Sequence, residues 1–396
     1  MPSGPGSNAG LPLPPHLDPR GRHRGGRSFH SGAGRVALSV MALISVGLLV
    51  LAGYLWYTIR DINNGVARVD VAVGAQPSDS VKANGKDQNI LLVGNDDRTN
   101  MTDQEVRQLK VGRDGGSLAT DTMMIVHVPA NGSRATLISL PRDSYVKIAG
   151  WGMGRLNGAY ADAYGDAKGD LQAKRSAGAA LLIDTISNLT GLTINHYVQI
   201  DLLGFYRLSE ALGGVPVNLC ENVDDTVAYN ESHGEGVAGS GLKLSKGKHV
   251  LQGLQALEFV RQRHNLPRGD LDRVRRQQYF LTAAFRQVES VGVLTKLHAL
   301  GSAIKRSISA DPGLDLLDLG EQLEGLSANN ISGKTIPTTA GYVNGQDVLI
   351  VDPAKVRRFV EKVINPPAST PSTSTSAGTS LSPSKTPKPI DSKCIN

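Results

Sequence analysis

The chain has 396 residues, enough for one large domain or two modest ones, and its formal net charge of +6 is concentrated near its two ends. The first 35 residues carry five arginines against one aspartate, and residues 366–396 carry three lysines against one aspartate, so residues 36–365 are net neutral. A neutral central region has no broad cationic surface. Nucleic acid is therefore excluded as the expected partner of the main domain.

Residues 36–59 read VALSVMALISVGLLVLAGYLWYTI and contain no charged residue. A helix of this length crosses a hydrocarbon core of about 30 Å, and the aromatic residues near its end suit the headgroup layer. The run is longer than the apolar segment of a cleaved signal peptide, so the sequence predicts one transmembrane signal-anchor helix. The arginines before it predict a single-pass protein of the cell membrane, with a cytoplasmic N-terminus and an extracytoplasmic main domain.

Composition divides the rest of the chain. Residues 1–35 are expected to form a disordered basic cytoplasmic tail, residues 60–86 a stalk, and residues 366–396 a disordered tail rich in Pro, Ser and Thr. The extracytoplasmic domain is expected to occupy residues 87–365. Its predicted elements, in chain order, are strands at 90–93, 123–128 and 135–140, a helix at 177–189, a strand at 196–200, a helix at 202–212, a helix at 250–259 that runs into a strand at 260–263, a helix at 271–288, a hairpin at 341–351 and a helix at 353–364.

Helices and strands alternate in this pattern, but hairpin signals such as Asn131-Gly132 and Asn344-Gly345 interrupt it. The prediction is an α/β fold: an α-β-α sandwich with a mixed central sheet, preceded by one transmembrane helix.

Residues 260–278, VRQRHNLPRGDLDRVRRQQ, hold six arginines and one histidine. In the predicted strand, Arg261 and Arg263 point to the same face. Asp270 occupies the expected N-cap of the next helix, where Asp270, Arg273 and Gln277 share one face. Guanidinium groups match phosphate oxygens, so the pattern predicts a phosphate-bearing ligand. The alternative is a solvated basic face with local Arg–Asp pairs, which remains the natural interpretation of Arg268, Arg275 and Arg276.

Acidic residues stand near three predicted strand ends. Asp96 and Arg98 lie in LLVGNDDR, Asp121 lies in ATDTMMIVHV, and Arg142 with Asp143 lies in SLPRDSYV. Ligand sites of α/β sheets gather at strand ends, and a pyrophosphate calls for a divalent cation held by one or two carboxylates. Each residue alone also fits ordinary turn chemistry.

Six stretches together resemble the LytR-CpsA-Psr (LCP) family, also called the cell envelope-related transcriptional attenuator domain. They cover residues 88–285 and read NILLVGNDDR, TDTMMIVHV, ISLPRDSYVKIAG, RLNGAYADA, GLTINHYVQIDLLGFYRLSEALGGVPV and LQGLQALEFVRQRHNLPRGDLDRVRRQQYFL. The high usage of Gly, Ala and Arg resembles actinobacterial members.

The resemblance implies a phosphotransferase that moves a glycopolymer phosphate, such as a wall teichoic acid, from a polyprenyl-pyrophosphate carrier to a peptidoglycan hydroxyl. It implies an apolar groove for the lipid and Mg²⁺ (or Mn²⁺) on Asp96 and Asp121. It also implies pyrophosphate contacts from Arg142, Arg261, Arg263 and Arg273, with Arg98 as a further contact. Asp270 and Gln277 would orient these arginines or the incoming hydroxyl.

Two other functions remain open from the sequence: a pyrophosphatase that releases the glycan to water, and a non-catalytic regulator of the cell envelope. The general base is also open, with Asp270, Asp143 or no protein group as alternatives. The two cysteines, Cys220 and Cys394, are equally compatible with a disulfide and with free thiols.

Overall fold

The computed structural model describes residues 32–71, 86–98, 101–109, 111, 116–230, 235–262, 264, 266–291, 300–303, 305, 308–315, 318–319, 322–323, 326–366 and 394–396. The chain separates into two compact units, Met1–Trp56 and Tyr57–Asn396. The elements described below belong to the second unit, apart from the first part of helix α1.

Helix α1 spans Gly32–Gly65 and includes the uncharged run 36–59. In the part of the chain that the structure describes, no helix meets the combined length and hydropathy requirement for crossing a membrane. The anchor inferred from residues 36–59 therefore stays a prediction.

The remaining helices are short to medium in length. They are α2 (Asp103–Gln108), α3 (Gly158–Asp166), α4 (Leu171–Thr190), α5 (Leu202–Ala211), α6 (Gly253–Arg261), α7 (Asp270–Val291) and α8 (Pro353–Ile364).

The strands are β1 (Ala67–Arg68), β2 (Gln88–Asp97), β3 (Gly116–Val128), β4 (Ala135–Ser139), β5 (Ser144–Ile148), β6 (Gly152–Arg155), β7 (His196–Ile200), β8 (Val215–Leu219), β9 (Val223–Asp224), β10 (Val227–Asn230), β11 (Glu235–Ala238), β12 (Lys243–Leu244), β13 (Gly247–Leu251), β14 (Ile308–Ala310), β15 (Ile331–Thr335), β16 (Thr339–Val343) and β17 (Gln346–Ile350).

The central sheet has seven strands in the order β1-β14-β7-β2-β3-β4-β15. Strand β2 is parallel to β7 and antiparallel to β3, and β4 is antiparallel to β3 and parallel to β15. The predicted mixed sheet is confirmed. Strand β1 lies within the range 60–86 that the sequence assigns to a stalk, and residues 72–85 lie outside the described part of the chain.

Side chains of the central strands alternate between two apolar layers, because successive residues of a strand point to opposite faces. Leu91, Val93 and Ile125 pack against α3, α4 and α8 in one core. Leu92 and Met124 belong to a second core that includes Leu281 of α7. Both faces of the sheet are therefore covered by helices.

Local signals account for several helix ends, although α4 begins at Leu171, earlier than the predicted start at 177. Asp201 accepts a hydrogen bond from the backbone N–H of Gly204 at the start of α5, and Asp352 caps α8 just before Pro353. Gly191 ends α4 with φ of 76°, a left-handed conformation that glycine adopts without the steric cost of a side chain. The hairpin predicted at Asn344-Gly345 joins β16 to β17.

The prediction for residues 250–263 is partly wrong. Residues 247–251 form β13, which pairs with β8, and the following helix α6 continues to Arg261. The predicted strand at 260–263 is absent from its described residues. The alternation argument that placed Arg261 and Arg263 on one strand face therefore fails.

A disulfide joins Cys220 to Cys394, with 4.7 Å between their Cα atoms. Beside it, Ile395 N–H donates to Asn218 O at 2.8 Å and Cys220 N–H donates to Ile395 O at 3.0 Å. Ile395 is buried in the core around α5, α6 and β8. A crosslink that closes so long a loop contributes about 2–5 kcal/mol of stability. In the predicted tail, residues 394–396 are thus attached to β8, and residues 367–393 lie outside the described part.

Candidate functional site

A cavity of about 890 Å³ lies between the central sheet and helices α5, α6 and α7. Much of its lining is apolar: Leu92, Met124, Val198, Ile200, Leu202, Phe205, Leu208, Leu254, Leu257, Val260, Leu281 and Ile308. Charged and polar side chains occupy the rest: Asp96, Asp121, Arg142, Arg155, Asn157, Asp201, Glu258, Arg261, His264, Arg273 and Gln277. One cavity thus offers both a long apolar wall and a cationic region.

Asp121 stands at an irregularity between β2 and β3. Gly94 pairs with Thr122 and Asn95 pairs with Thr120, so Asp121 has no partner residue in the register. An extra residue of this kind bends the strand and redirects its side chain. This bulge explains how a residue inside a long strand reaches the ligand cavity.

Arg142 is the centre of an ion-pair network. Its Nη1 lies 2.5 Å from Oδ1 of Asp121, and its Nε lies 3.4 Å from Asp143 and 3.8 Å from Asp270. Burial alone would lower the pKa of Arg142, but the charge of Asp121, followed by those of Asp143 and Asp270, outweighs it and raises the pKa. Arg142 is therefore a permanent cation held by three carboxylates.

Helix α7 supplies the other side of this network. Arg273 is 2% exposed and pairs with Asp270 one turn earlier, and Asp270 in turn faces Arg142. Gln277 donates to the carbonyl of Val260 at 3.3 Å, which ties α7 to α6. The predicted shared face of Asp270, Arg273 and Gln277 is confirmed. The predicted N-cap is wrong by one residue, because Asp270 is the first residue of α7, and Asp270 is not among the cavity-lining residues.

Asp96 and Arg98 form their own pair. Nε of Arg98 donates to Oδ1 of Asp96 at 2.7 Å, and Nη2 donates to Oδ2. Asp96 lines the cavity, whereas Arg98 is not among its lining residues. Arg98 would therefore contact a ligand in this cavity only after its pair with Asp96 rearranged.

The other arginines of residues 260–278 separate into different environments. Arg261 is exposed at the end of α6 and lines the cavity, and Arg263 lies outside the described residues. Arg268 and Arg275 are exposed and pair with Asp272. Arg276 contradicts its interpretation as a surface charge, because it is 1% exposed, donates to Gln262 and lies 5.0 Å above the ring of Phe259.

The carboxylates fit a cation only as part of a larger ligand set. Within the described residues, no three His, Cys, Asp or Glu side chains come together in a metal-holding group. Magnesium is nevertheless commonly held by one or two carboxylates plus substrate phosphates and water. Asp121 and Asp96 supply hard oxygen ligands on the cavity wall, so the residues fit Mg²⁺ or Mn²⁺ when phosphate oxygens complete the coordination.

From the sequence, Arg155 is not predicted at the site, and an ordinary structural or surface role is favoured for His264 over a phosphate contact. Arg155 ends β6, lines the cavity and places Nη1 3.6 Å from Oδ1 of Asp143. His264 also lines the cavity, and its Nδ1 lies 3.4 Å from Oδ1 of the buried Asp225. Arg155 opens the stretch RLNGAYADA, so its position in a matching motif was an available signal. The pairing of His264 with a residue 39 positions away had no local signal.

The LytR_cpsA_psr family model matches residues 57–365, more than half of the chain. The chain belongs to the LytR-CpsA-Psr family. The cell wall biosynthesis protein LcpA of Corynebacterium glutamicum is 36% identical over 353 residues, which cover 82% of this chain and 65% of LcpA. The probable cell wall biosynthesis protein LcpB of the same organism is 35% identical, over 65% of this chain and 53% of LcpB. This LytR-CpsA-Psr chain therefore spans less than two thirds of the length of either relative.

A more distant relative is matched over nearly its whole length. The polyisoprenyl-teichoic acid–peptidoglycan teichoic acid transferase TagU of Oceanobacillus iheyensis is 27% identical, over 87% of this chain and 96% of TagU. Among solved structures, TagT bound to LI-WTA superposes with a TM-score of 0.53 at 20% identity, over 75% of this chain and 98% of TagT. At that identity the superposition shows a common LytR-CpsA-Psr fold.

Proposed function

We propose that this chain is a membrane-anchored phosphotransferase of cell-wall assembly. It moves a glycopolymer phosphate from a polyprenyl-pyrophosphate carrier to a hydroxyl of peptidoglycan. The observation that carries the proposal is the combination, in one cavity of about 890 Å³, of an apolar wall and a network of ion-paired guanidiniums. Such a cavity suits a ligand with a long hydrocarbon chain and a strongly anionic head.

The apolar wall suits the lipid. Leu202, Phe205 and Leu208 of α5 line the cavity from the helical side, and Leu92 and Met124 line it from the sheet. Transfer of hydrocarbon from water to such a wall is favourable by about 0.8 kcal/mol per buried CH₂ group. Several isoprene units would thus supply binding energy before any polar contact forms.

The guanidinium network suits the pyrophosphate. Arg142, Arg155, Arg261 and Arg273 all line the cavity, and Arg142 and Arg273 are already fixed by carboxylates. In phosphoryl transfer, the protein contributes chiefly positioning and stabilisation of charge on the phosphate oxygens. Cations held in place before the ligand arrives lose little freedom on binding, so they stabilise the leaving lipid phosphate effectively.

Asp121 and Asp96 would hold Mg²⁺ or Mn²⁺ together with the phosphates. The bound metal would neutralise charge on the pyrophosphate oxygens during transfer. Arg142 and Arg98, which pair with these two carboxylates here, would then be available to the phosphates instead.

A reconstituted assay tests the proposal. The purified full chain is mixed with a lipid-linked glycan pyrophosphate, a peptidoglycan oligomer and Mg²⁺, and the covalent product is followed by mass spectrometry. We expect a glycan–phosphate–peptidoglycan adduct together with polyprenyl monophosphate. Release of a free phosphorylated glycan without any adduct would instead identify a pyrophosphatase, and the absence of both products would favour a non-catalytic regulator.

A further inference from the structure

A histidine–carboxylate pair lies on the cavity wall beside the arginine network. His264 lines the cavity with 39% of its side chain exposed, and its Nδ1 lies 3.4 Å from Oδ1 of Asp225, whose side chain is fully buried. Neither of these two atoms has a hydrogen-bond partner in the described chain, and the 3.4 Å contact between them is not itself a hydrogen bond. The imidazole thus turns one nitrogen toward a buried carboxylate, and Nε2 is the nitrogen available to a ligand.

Hydrogen bonds hold the Asp225 carboxylate and the main chain of His264. The N–H of Ser240 donates to Oδ2 of Asp225 at 2.9 Å, and the side-chain amide of Gln262 donates to the carbonyl of His264 at 3.0 Å. Gly239 packs directly on Asp225, since an added Cβ there would come within 2.0 Å of the Asp225 carbonyl oxygen. The Asp225 carboxylate is therefore fixed in the cavity wall, and the imidazole of His264 lies against it.

Charged groups of α6 and α7 lie near the pair. Arg276 of α7 is buried nearby; burial lowers its pKa to about 10, and the charges of Asp225 and Asp272 oppose that decrease. Arg276 thereby offsets part of the cost of burying the Asp225 carboxylate. On the cavity side, Arg261 and Glu258 of α6 line the same wall as His264.

The two carboxylates that the sequence offers as general bases lie beside arginines. Asp143 lies 3.4 Å from Arg142 and 3.6 Å from Arg155, and Asp270 pairs with Arg273. Neither is among the cavity-lining residues, whereas Asp201 and Glu258 are. In the described part of the chain, His264 is the only histidine that lines the cavity.

We propose that His264 is the general base that activates the acceptor hydroxyl, and that Asp225 is a positioning residue that orients its ring. This inference rests on the proposed function. Nε2 of His264 takes the hydroxyl proton while the hydroxyl oxygen bonds to the glycan-side phosphorus. The bond from that phosphorus to the bridging oxygen breaks, and polyprenyl monophosphate leaves with the electron pair. His264 then passes the proton to water.

The test uses the full chain in the transfer assay with lipid-linked donor and peptidoglycan oligomer. We expect His264→Gln to lower kcat by roughly 100-fold, within the range usual for a general base, with the KM of the donor nearly unchanged. In His264→Ala, added imidazole should restore part of the rate, which a purely structural defect would not allow. Asp225→Asn should lower kcat by about tenfold at similar KM, because it weakens the orientation of the ring.

His249→Gln is the matched control, because His249 lies on β13, is not among the cavity-lining residues and should leave kcat unchanged. Thermal unfolding of each variant shows whether the fold is retained. If wild type forms the adduct and His264→Gln retains the wild-type kcat, the general-base role of His264 is overturned. The proposed function is then still supported. A raised donor KM at constant kcat also overturns it, since His264 would then be a ligand only. A wild-type chain that forms no adduct overturns the proposed function and this inference together.

Discussion

Arg142 and Asp121 are 21 positions apart in the chain, and Nη1 of the arginine lies 2.5 Å from Oδ1 of the aspartate. The contact joins the bulged residue of β3 to the loop that follows β4. A phosphate that binds Arg142 must either share its guanidinium with Asp121 or displace Asp121 from it. The pair therefore sets the orientation of the cation before a ligand is present.

Replacement of Arg142 should separate its role in binding from its role in packing. We expect Arg142→Lys to lower the transfer rate by roughly 100-fold, because an ammonium cannot make two parallel contacts to phosphate. Initial rates in the transfer assay measure the loss. Arg357→Lys is the control, since Arg357 donates to the carbonyl of Asn188 and is not among the cavity-lining residues. Equal losses in both variants would contradict a specific role for Arg142.

Asp121 should control the dependence on metal. Removal of divalent cations by EDTA is expected to abolish transfer, and Mg²⁺ or Mn²⁺ should restore it. Because Asp121→Asn removes one charged ligand, it should raise the Mg²⁺ concentration for half-maximal rate by about tenfold or more. Titration of the rate against Mg²⁺ checks this, with the exposed Asp347→Asn as control. An unchanged Mg²⁺ requirement in Asp121→Asn would exclude this carboxylate as a ligand.

Filling the apolar part of the cavity should discriminate between donors by chain length. Leu281 lines the cavity from α7, one turn beyond Gln277, so Leu281→Trp places a larger ring where the lipid is proposed to lie. We expect kcat/KM to fall roughly tenfold for a full-length polyprenyl donor and by much less for a donor with two isoprene units. Val250→Trp, at a position 61% exposed on β13, serves as control. Equal losses for both donors would place the lipid elsewhere.

Asp201 should make stability depend on pH. Burial raises its pKa from 3.8 to about 6, against the opposing effect of the Gly204 N–H, so the folded state favours the protonated carboxyl. Its contribution to stability is therefore full below the unfolded value of 3.8 and is lost as the pH rises through about 6. Asp201→Asn keeps an oxygen for the Gly204 N–H and should stabilise the protein at pH 7.5 by about 1–3 kcal/mol.

Urea unfolding of wild type and Asp201→Asn between pH 4 and 7.5 measures this difference. Asp352→Asn is a control of opposite sign. The exposed Asp352 caps α8, and hydrogen bonds to the backbone, with that of Lys355 the largest effect, lower its pKa. Its removal should therefore reduce stability by a nearly constant amount across this range, because a pKa lowered from 3.8 titrates below pH 4. A constant stability difference between wild type and Asp201→Asn across this range would show that Asp201 is not the titrating group.

Features with local causes could be predicted from the sequence. The helix start at Asp352-Pro353, the glycine that ends α4 and the hairpin at Asn344-Gly345 each depend on a few adjacent residues. The shared face of Asp270, Arg273 and Gln277 follows from helical spacing alone. The fold class followed from the alternation of such elements, whereas the roles of the candidate site residues rested on the family resemblance and stay predictions.

Features with distant causes could not be predicted. Asp225 meets His264 across 39 positions, and the burial of Arg276 depends on the ring of Phe259 and on Gln262. Residues 247–251 form β13, so helix α6 starts at Gly253, later than the predicted helix, and continues to Arg261. Tertiary packing determines where these side chains lie, and the adjacent residues in the sequence carry no signal of that packing.

Strand β2 lies between the core formed with α3 and α4 and the cavity. Leu91 and Val93 belong to the core with α3 and α4, whereas Leu92, Gly94 and Asp96 border the cavity, which Val93 also reaches. Residues needed for folding and residues that can contact a ligand thus alternate along much of this short strand. Relatives could diverge in the donors they accept by changing every second residue here, without rebuilding the scaffold behind it.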